Sequence, residues 1–123
     1  MSPIILSNVK ENLEKSSKIN QKRIDKLINN MKFWKKDKII YPNHIKSLLL
    51  ISSLEAYEIL DILVDMKILI ECYEIYCSKC EKFMDKGFLE SLNQFPSNLY
   101  CEDGHKLEAF NDTVLVYKVI LDE

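Results

Sequence analysis

The chain has only two glycines, Gly87 and Gly104, among its 123 residues. A phosphate-cradling loop needs several glycines close together and a nucleophile elbow needs two around a serine, so neither is present. Histidine is as scarce. Neither His44 nor His105 stands in an H-E-x-x-H helix or in the H-x-E and P-C-x-x-C order of zinc deaminases, which removes the familiar catalytic zinc patterns. Long apolar runs are also missing: the longest aliphatic run, LLLI from Leu48 to Ile51, is far short of the ~20 residues a membrane span needs. The opening MSPIILSNVKENLEK holds only a three-residue apolar run and lacks the pattern of a secretory leader. A soluble, cytoplasmic protein with no membrane association is the expectation. In a reducing compartment its four cysteines point to metal or redox chemistry over a disulfide framework.

The formal net charge of −2 conceals an uneven distribution. Residues 1–38 carry ten Lys or Arg against four Asp or Glu, residues 39–76 two against six, and residues 77–123 five against nine. Only the N-terminal third attracts a polyanion.

Asn8 and Glu11 form a capping-box pair that places a helix start at Asn8, and Val9, Leu13, Ile24, Leu27, Ile28, Met31 and Trp34 follow at helical spacing. The polar SSKINQ between them leaves open one long helix or two. Its outer face is basic, either a solvated surface or an arm whose candidate phosphate contacts are Lys15, Lys18, Lys22, Arg23 and Lys26. Pro42 suits the first turn of a short second helix with Ile45, Leu48 and Leu49 on its apolar side. Ser52 and Glu55 form a further capping box, flanked by Ile51 and Ala56 at the hydrophobic-staple positions. The helix that follows buries Ala56, Ile59, Leu60, Leu63 and Val64 and ends near Met66.

From Ile68 to Tyr76, and again from Thr113 to Leu121, the composition turns to β-formers. Three helices followed by two strands outline a winged helix, so the expected fold is α+β: a winged helix whose wing is extended by an inserted module, preceded by a basic N-terminal helix. The segments are 1–38 for the basic helical part, 39–76 with 113–123 for the winged-helix core and wing strands, and 77–112 for the insert.

The insert holds the chemistry. Cys77 and Cys80 make a C-x2-C pair directly after a strand, and after twenty intervening residues Cys101 and His105 make C-x3-H in CEDGH. Two short chelating pairs at this separation are how ribbon-like tetrahedral zinc sites are built, and Gly104 permits the tight turn between the last two ligands. Two other readings stand beside it: half-buried free thiols, as expected of Cys72 within its strand, or a redox pair, which would call for a helix start that EIYCSKCEKF does not offer. His44 is expected at the surface. Four ligands leave no open position for substrate, so the zinc is expected to be structural and the protein not an enzyme, with no small-molecule substrate.

LLLISSLEAYEILDILVDMKIL running on into YCSKC and YCEDGH resembles winged-helix/zinc-ribbon proteins, among them the α subunit of archaeal transcription factor E. The likeness is architectural and covers about two thirds of the chain. His105 departs from it, because that family usually carries two cysteine pairs. The resemblance implies recruitment or regulation through surfaces, and similar small proteins occur as accessory subunits beside ATPases and nucleases in bacterial antiviral defence operons. In a DNA-reading winged helix the third helix enters the major groove, yet here it presents Glu55, Glu58, Asp61 and Asp65 beside Tyr57 and Ile62. Carboxylates reverse the electrostatic term that drives phosphate binding. That face is expected to meet a protein, making the chain an adaptor or accessory subunit of a larger complex; the alternative is a nucleic-acid-binding regulator that uses the basic first helix and the wing.

Overall fold

The computed structural model of the chain describes residues 1–121. Helices α1 (Pro3–Ser16) and α2 (Gln21–Met31) come first, then β1 (Ile39–Ile40), α3 (Pro42–Leu49), α4 (Ser53–Asp65), β2 (Leu69–Cys77), β3 (Lys82–Leu89), a single 3₁₀ turn at Leu92–Gln94, and β4 (Thr113–Val119). The fold is α+β, with four α-helices and a four-stranded sheet in the order β1-β4-β2-β3. Two compact units divide it: Met1–Ile70 with the chain from Tyr117 on, and Glu71–Val116.

In the first unit α1 packs on α2 and α4, α2 on α3, and α3 on α4. Their apolar stripes supply the core: Val9 and Leu13 from α1, Leu27 and Met31 from α2, Ile45 and Leu49 from α3, and Ala56, Ile59, Leu60 and Leu63 from α4 are buried. Helix α1 starts earlier than Asn8 and Glu11 imply. Ser2 caps it, accepting from the Ile5 amide at 3.3 Å, and Pro3 occupies the first turn, where its missing N–H costs nothing. That earlier start brings Leu6 onto the buried stripe. Asn8 then sits inside the helix, and Glu11 pairs with Lys15 at 2.9 Å. The polar middle does break the run into two helices: Ser17 returns its hydroxyl to the Leu13 carbonyl at 2.7 Å, and the Asn20 side chain caps α2 by accepting from the Arg23 amide at 3.0 Å.

Helix α4 begins as its sequence requires. The Ser52 hydroxyl accepts from the Glu55 amide and the Glu55 carboxylate from the Ser52 amide, both at 3.1 Å. Helix α3 ends on Leu50, which takes a left-handed φ of 54°. Such a turn is costly for a side chain larger than glycine, and Arg23 supports it, donating through Nε to the Leu49 carbonyl at 2.8 Å and through Nη2 to that of Leu50 at 3.3 Å. β1 pairs antiparallel with β4, Ile39 facing Lys118 and Ile40 facing Tyr117.

The second unit contains a strand that the composition of 77–112 does not announce. β3 pairs antiparallel with β2, with Tyr73 facing Leu89, Glu74 facing Phe88, Tyr76 facing Phe83 and Cys77 facing Lys82. Between the second and third of these pairs, four residues of β3 lie against one of β2, and Gly87, at φ +79°, falls within that irregularity. Buried side chains are few in this unit: Ile75, Cys77, Cys101 and Leu107 form its centre, with Met84, Leu89, Phe95 and Leu99 packed around them only partly buried.

Candidate metal centre

Each half of the candidate site is a tight turn that aims two ligands at one point. Cys77 closes β2, and Cys80 follows in the turn into β3. The Glu81 amide donates to the Cys77 carbonyl at 2.7 Å, with Glu81 itself left-handed at φ 56°, and the Cys80 amide donates to the Cys77 sulfur at 3.4 Å. The second turn uses the same device. The Gly104 amide donates to the Cys101 carbonyl at 3.0 Å with Gly104 at φ +84°, and the His105 amide donates to the Cys101 sulfur at 3.3 Å. A bridge between Tyr100 and Lys106 closes this loop at its base. Amides directed at sulfur stabilise a thiolate, which is the form that binds a metal.

The two turns meet. The ligand atoms of Cys77, Cys80, Cys101 and His105 all lie within 4.8 Å of one another. Cys80 and Cys101 sulfurs are 3.7 Å apart, and the Nδ1 atom of His105 lies 3.2 Å from each of them and 3.9 Å from the Cys77 sulfur. A tetrahedral ion held by sulfur at ~2.3 Å and imidazole nitrogen at ~2.0 Å has ligand-to-ligand edges of about 3.5 to 3.8 Å. The observed spacings bracket that range, so these four residues fit one metal ion with three sulfurs and a nitrogen around it. Burial agrees, with Cys77 and Cys101 buried and Cys80 and His105 half-buried.

The thiols differ in how readily they ionise. The Asp103 carboxylate, accepting from the Cys80 thiol at 3.1 Å, and after it burial, push Cys80 well above the usual thiol range. For Cys101 burial pushes upward, but the amides of His105 and Asp103 and the thiols of Cys80 and Cys77 outweigh it and bring the group down to about 7. Cys101 thus becomes an anion more easily than Cys80. A cleft of about 430 Å³ lined by Lys82, Phe83, Lys86, Tyr100, Glu102 and Asp103 opens over Cys80 and Cys101.

Asp112, which the sequence pattern does not single out, holds the first turn in place. Its carboxylate is buried and accepts from the Ser78 amide at 3.0 Å, the Ser78 hydroxyl at 2.8 Å and the Glu108 amide at 2.8 Å. Its backbone carbonyl accepts from the Tyr76 amide at 2.9 Å. Ser78 lies between the two cysteines of the first pair, so the ligands are supported from a position 34 residues away in sequence. Burial pushes the Asp112 carboxyl up, but the Ser78 and Glu108 amides, the Ser78 hydroxyl and nearby Lys79 more than offset this and hold it below its usual range. A carboxyl depressed on folding stabilises the fold fully above about pH 4, and this contribution is lost as acid takes the pH down through the folded value. Asp112→Ala should cost roughly 1–3 kcal/mol of stability at neutral pH, read by chemical denaturation, because it removes the acceptor of three part-buried hydrogen bonds. The variant's stability should also fall less steeply with acid than that of wild type, while the lowered carboxyls of Glu11 and Glu55 keep their own dependence.

The other candidate residues fall elsewhere. Cys72 is buried in β2 outside the metal cluster, and His44 is exposed on α3. On α4, Glu58, Asp61, Asp65 and Tyr57 are exposed, while Glu55 and Ile62 are half-buried. Among the basic residues Lys15 is paired with Glu11 and Arg23 is engaged with the end of α3, whereas Lys18, Lys22 and Lys26 are exposed. No described helix is long and apolar enough to cross a membrane. No protein-family model, curated protein or solved structure matches the chain.

Proposed function

We propose that the chain is a non-catalytic, zinc-containing winged-helix adaptor that docks onto a larger protein. Zinc suits the donor set, since three thiolates and an imidazole in a tetrahedron are characteristic of structural zinc, and a shell filled by four protein ligands leaves no place for substrate. The winged-helix reading is supported by α2, α3 and α4 preceding β2 and β4, which are neighbours in the sheet order.

The observation that carries the docking role is the exposed face of α4. Glu58, Asp61 and Asp65 lie there beside Leu54, which is 69% exposed, and Tyr57. None of the three carboxylates makes an ion pair among the described residues. In the position where a winged helix would read DNA, this face repels phosphate and suits a protein patch with basic and apolar groups. The test is co-expression with the proteins encoded beside it, followed by metal analysis and light scattering. One zinc per chain in a complex of defined stoichiometry supports the reading. A chain that stays alone but binds duplex DNA through α4 contradicts it.

A further inference from the structure

The end of α2 and the turn that follows it present a surface with no role in the metal centre or in the α4 docking face. Phe33 is 80% exposed there. Around it Lys32, Lys35, Lys36 and Lys38 are exposed too, and none of them makes an ion pair among the described residues, where the salt bridges are Lys10 with Asp25 and Lys15 with Glu11. Lys22, Lys26 and Asn29, spaced by four and three residues, lie exposed along one side of α2 over about 10 Å and lead toward its C-terminal end, two residues beyond which Phe33 stands. The nearest acid on α2, Asp25, is occupied by Lys10 at 3.3 Å and by Gln21 at 3.0 Å. Asp37 is the single carboxylate within the turn.

The turn is held from both sides. Trp34, next to Phe33, is buried and donates through Nε1 to the Asn30 side chain at 3.0 Å. The Trp34 amide donates to the Met31 carbonyl at 3.1 Å, the Lys38 amide to that of Lys35 at 3.1 Å, and the Asp37 amide to that of Val119 at 2.8 Å. The Val119 amide returns a bond to the Lys38 carbonyl at 2.9 Å. A lone apolar side chain on a surface is ordinary. An exposed aromatic ring on a turn with a hydrogen-bonded backbone, among unpaired lysines, has the two parts of a platform for unpaired bases: a flat face to stack on and cations near enough to follow phosphates.

We propose that this stripe, from Lys22 to Lys36 around Phe33, binds single-stranded nucleic acid, with Phe33 stacked on a base and the lysines on the backbone. Reading a duplex groove would call for a set of Arg, Asn or Gln side chains directed at base edges, and the stripe offers only Asn29. A membrane-surface anchor would call for several apolar side chains on one face, and the stripe offers one.

Fluorescence anisotropy of the full chain with a fluorescein-labelled oligo-dT of about twenty nucleotides tests this across a salt series. Binding should weaken with a log–log salt slope of about −2 to −3, as three or four lysines on a single strand would give. Phe33→Ala should weaken binding about tenfold or more at every salt concentration and leave the slope alone. Lys35→Ala with Lys36→Ala should flatten the slope by about one unit or more. All three positions are exposed, so the circular dichroism and melting of these variants should match wild type. Absence of salt-dependent binding, binding unchanged by Phe33→Ala, or a preference for phosphatidylserine vesicles over the oligonucleotide would each overturn the proposal. Loss of the α4 face tests a different surface, so neither outcome decides the other.

Discussion

Replacing Cys80 with Ser is expected to release the metal and unfold Glu71–Val116, while the helices of Met1–Ile70 remain folded. The reason lies in how little else holds the smaller unit. Its centre is Ile75, Leu107 and two of the ligands themselves, Cys77 and Cys101, and the surrounding Met84, Leu89, Phe95 and Leu99 are only partly buried. Structural zinc contributes on the order of 10 kcal/mol of apparent binding energy at neutral pH, which makes metal binding and folding one event in a module of this kind. A serine hydroxyl is a poor ligand for a borderline-soft ion, so that energy is lost with one sulfur. The helical unit has buried residues of its own, from all four α-helices. Limited proteolysis read by mass spectrometry should show new cuts confined to residues 71–116, and metal analysis should show the bound ion gone. Cys72→Ser is the control, since Cys72 is buried outside the cluster and its change should leave the metal in place. Wild-type protein treated with a strong chelator should reproduce the Cys80→Ser pattern.

The second expectation separates stability from binding. Changing Asp61 and Asp65 to Lys should weaken the adaptor complex by roughly 100-fold while making the isolated chain slightly more stable, by about 0.5 kcal/mol. Neither carboxylate makes an ion pair among the described residues. Glu58 and Asp61 are three residues apart, Asp61 and Asp65 four, and the last turn of α4 has no basic residue, so like charges repel one another and oppose the negative end of the helix dipole. A helix that carries such a face at local cost is arranged for something outside it. Isothermal titration against the partner, alongside thermal melting of the free chain, distinguishes the cases: unchanged affinity would show that the acidic face is not the docking surface, and lower stability in the variant that the carboxylates support the fold.

Features encoded within a few residues were legible in the sequence. The Ser52 capping box is one, since both of its bonds span three residues, and the two ligand turns are others, because short spacing and Gly104 specify them locally. Competing local signals were harder. Asn8 with Glu11 matches a helix start, but Ser2 with Pro3 matches one as well, and the burial of Leu6 favours the earlier. β3 escaped because its side chains are mostly exposed and Lys82, Asp85, Lys86 and Gly87 dilute the β signal; pairing with β2 makes it a strand. Arg23 and Asp112 could not be read at all. Arg23 in a basic helix resembles any surface cation until α3 brings the Leu49 and Leu50 carbonyls to it, and Asp112 resembles a turn residue until Ser78 arrives from across the unit.

Cobalt substitution shows whether Cys77, Cys80, Cys101 and His105 close a tetrahedral site around one ion. Cobalt(II) added to metal-free protein should bind one ion per chain, giving intense visible absorption of a tetrahedral centre together with thiolate charge-transfer bands. Zinc should displace it stoichiometrically as Glu71–Val116 stays folded. Weak absorption typical of an octahedral, water-rich ion, or a spectrum unchanged by His105→Ala, would contradict the account.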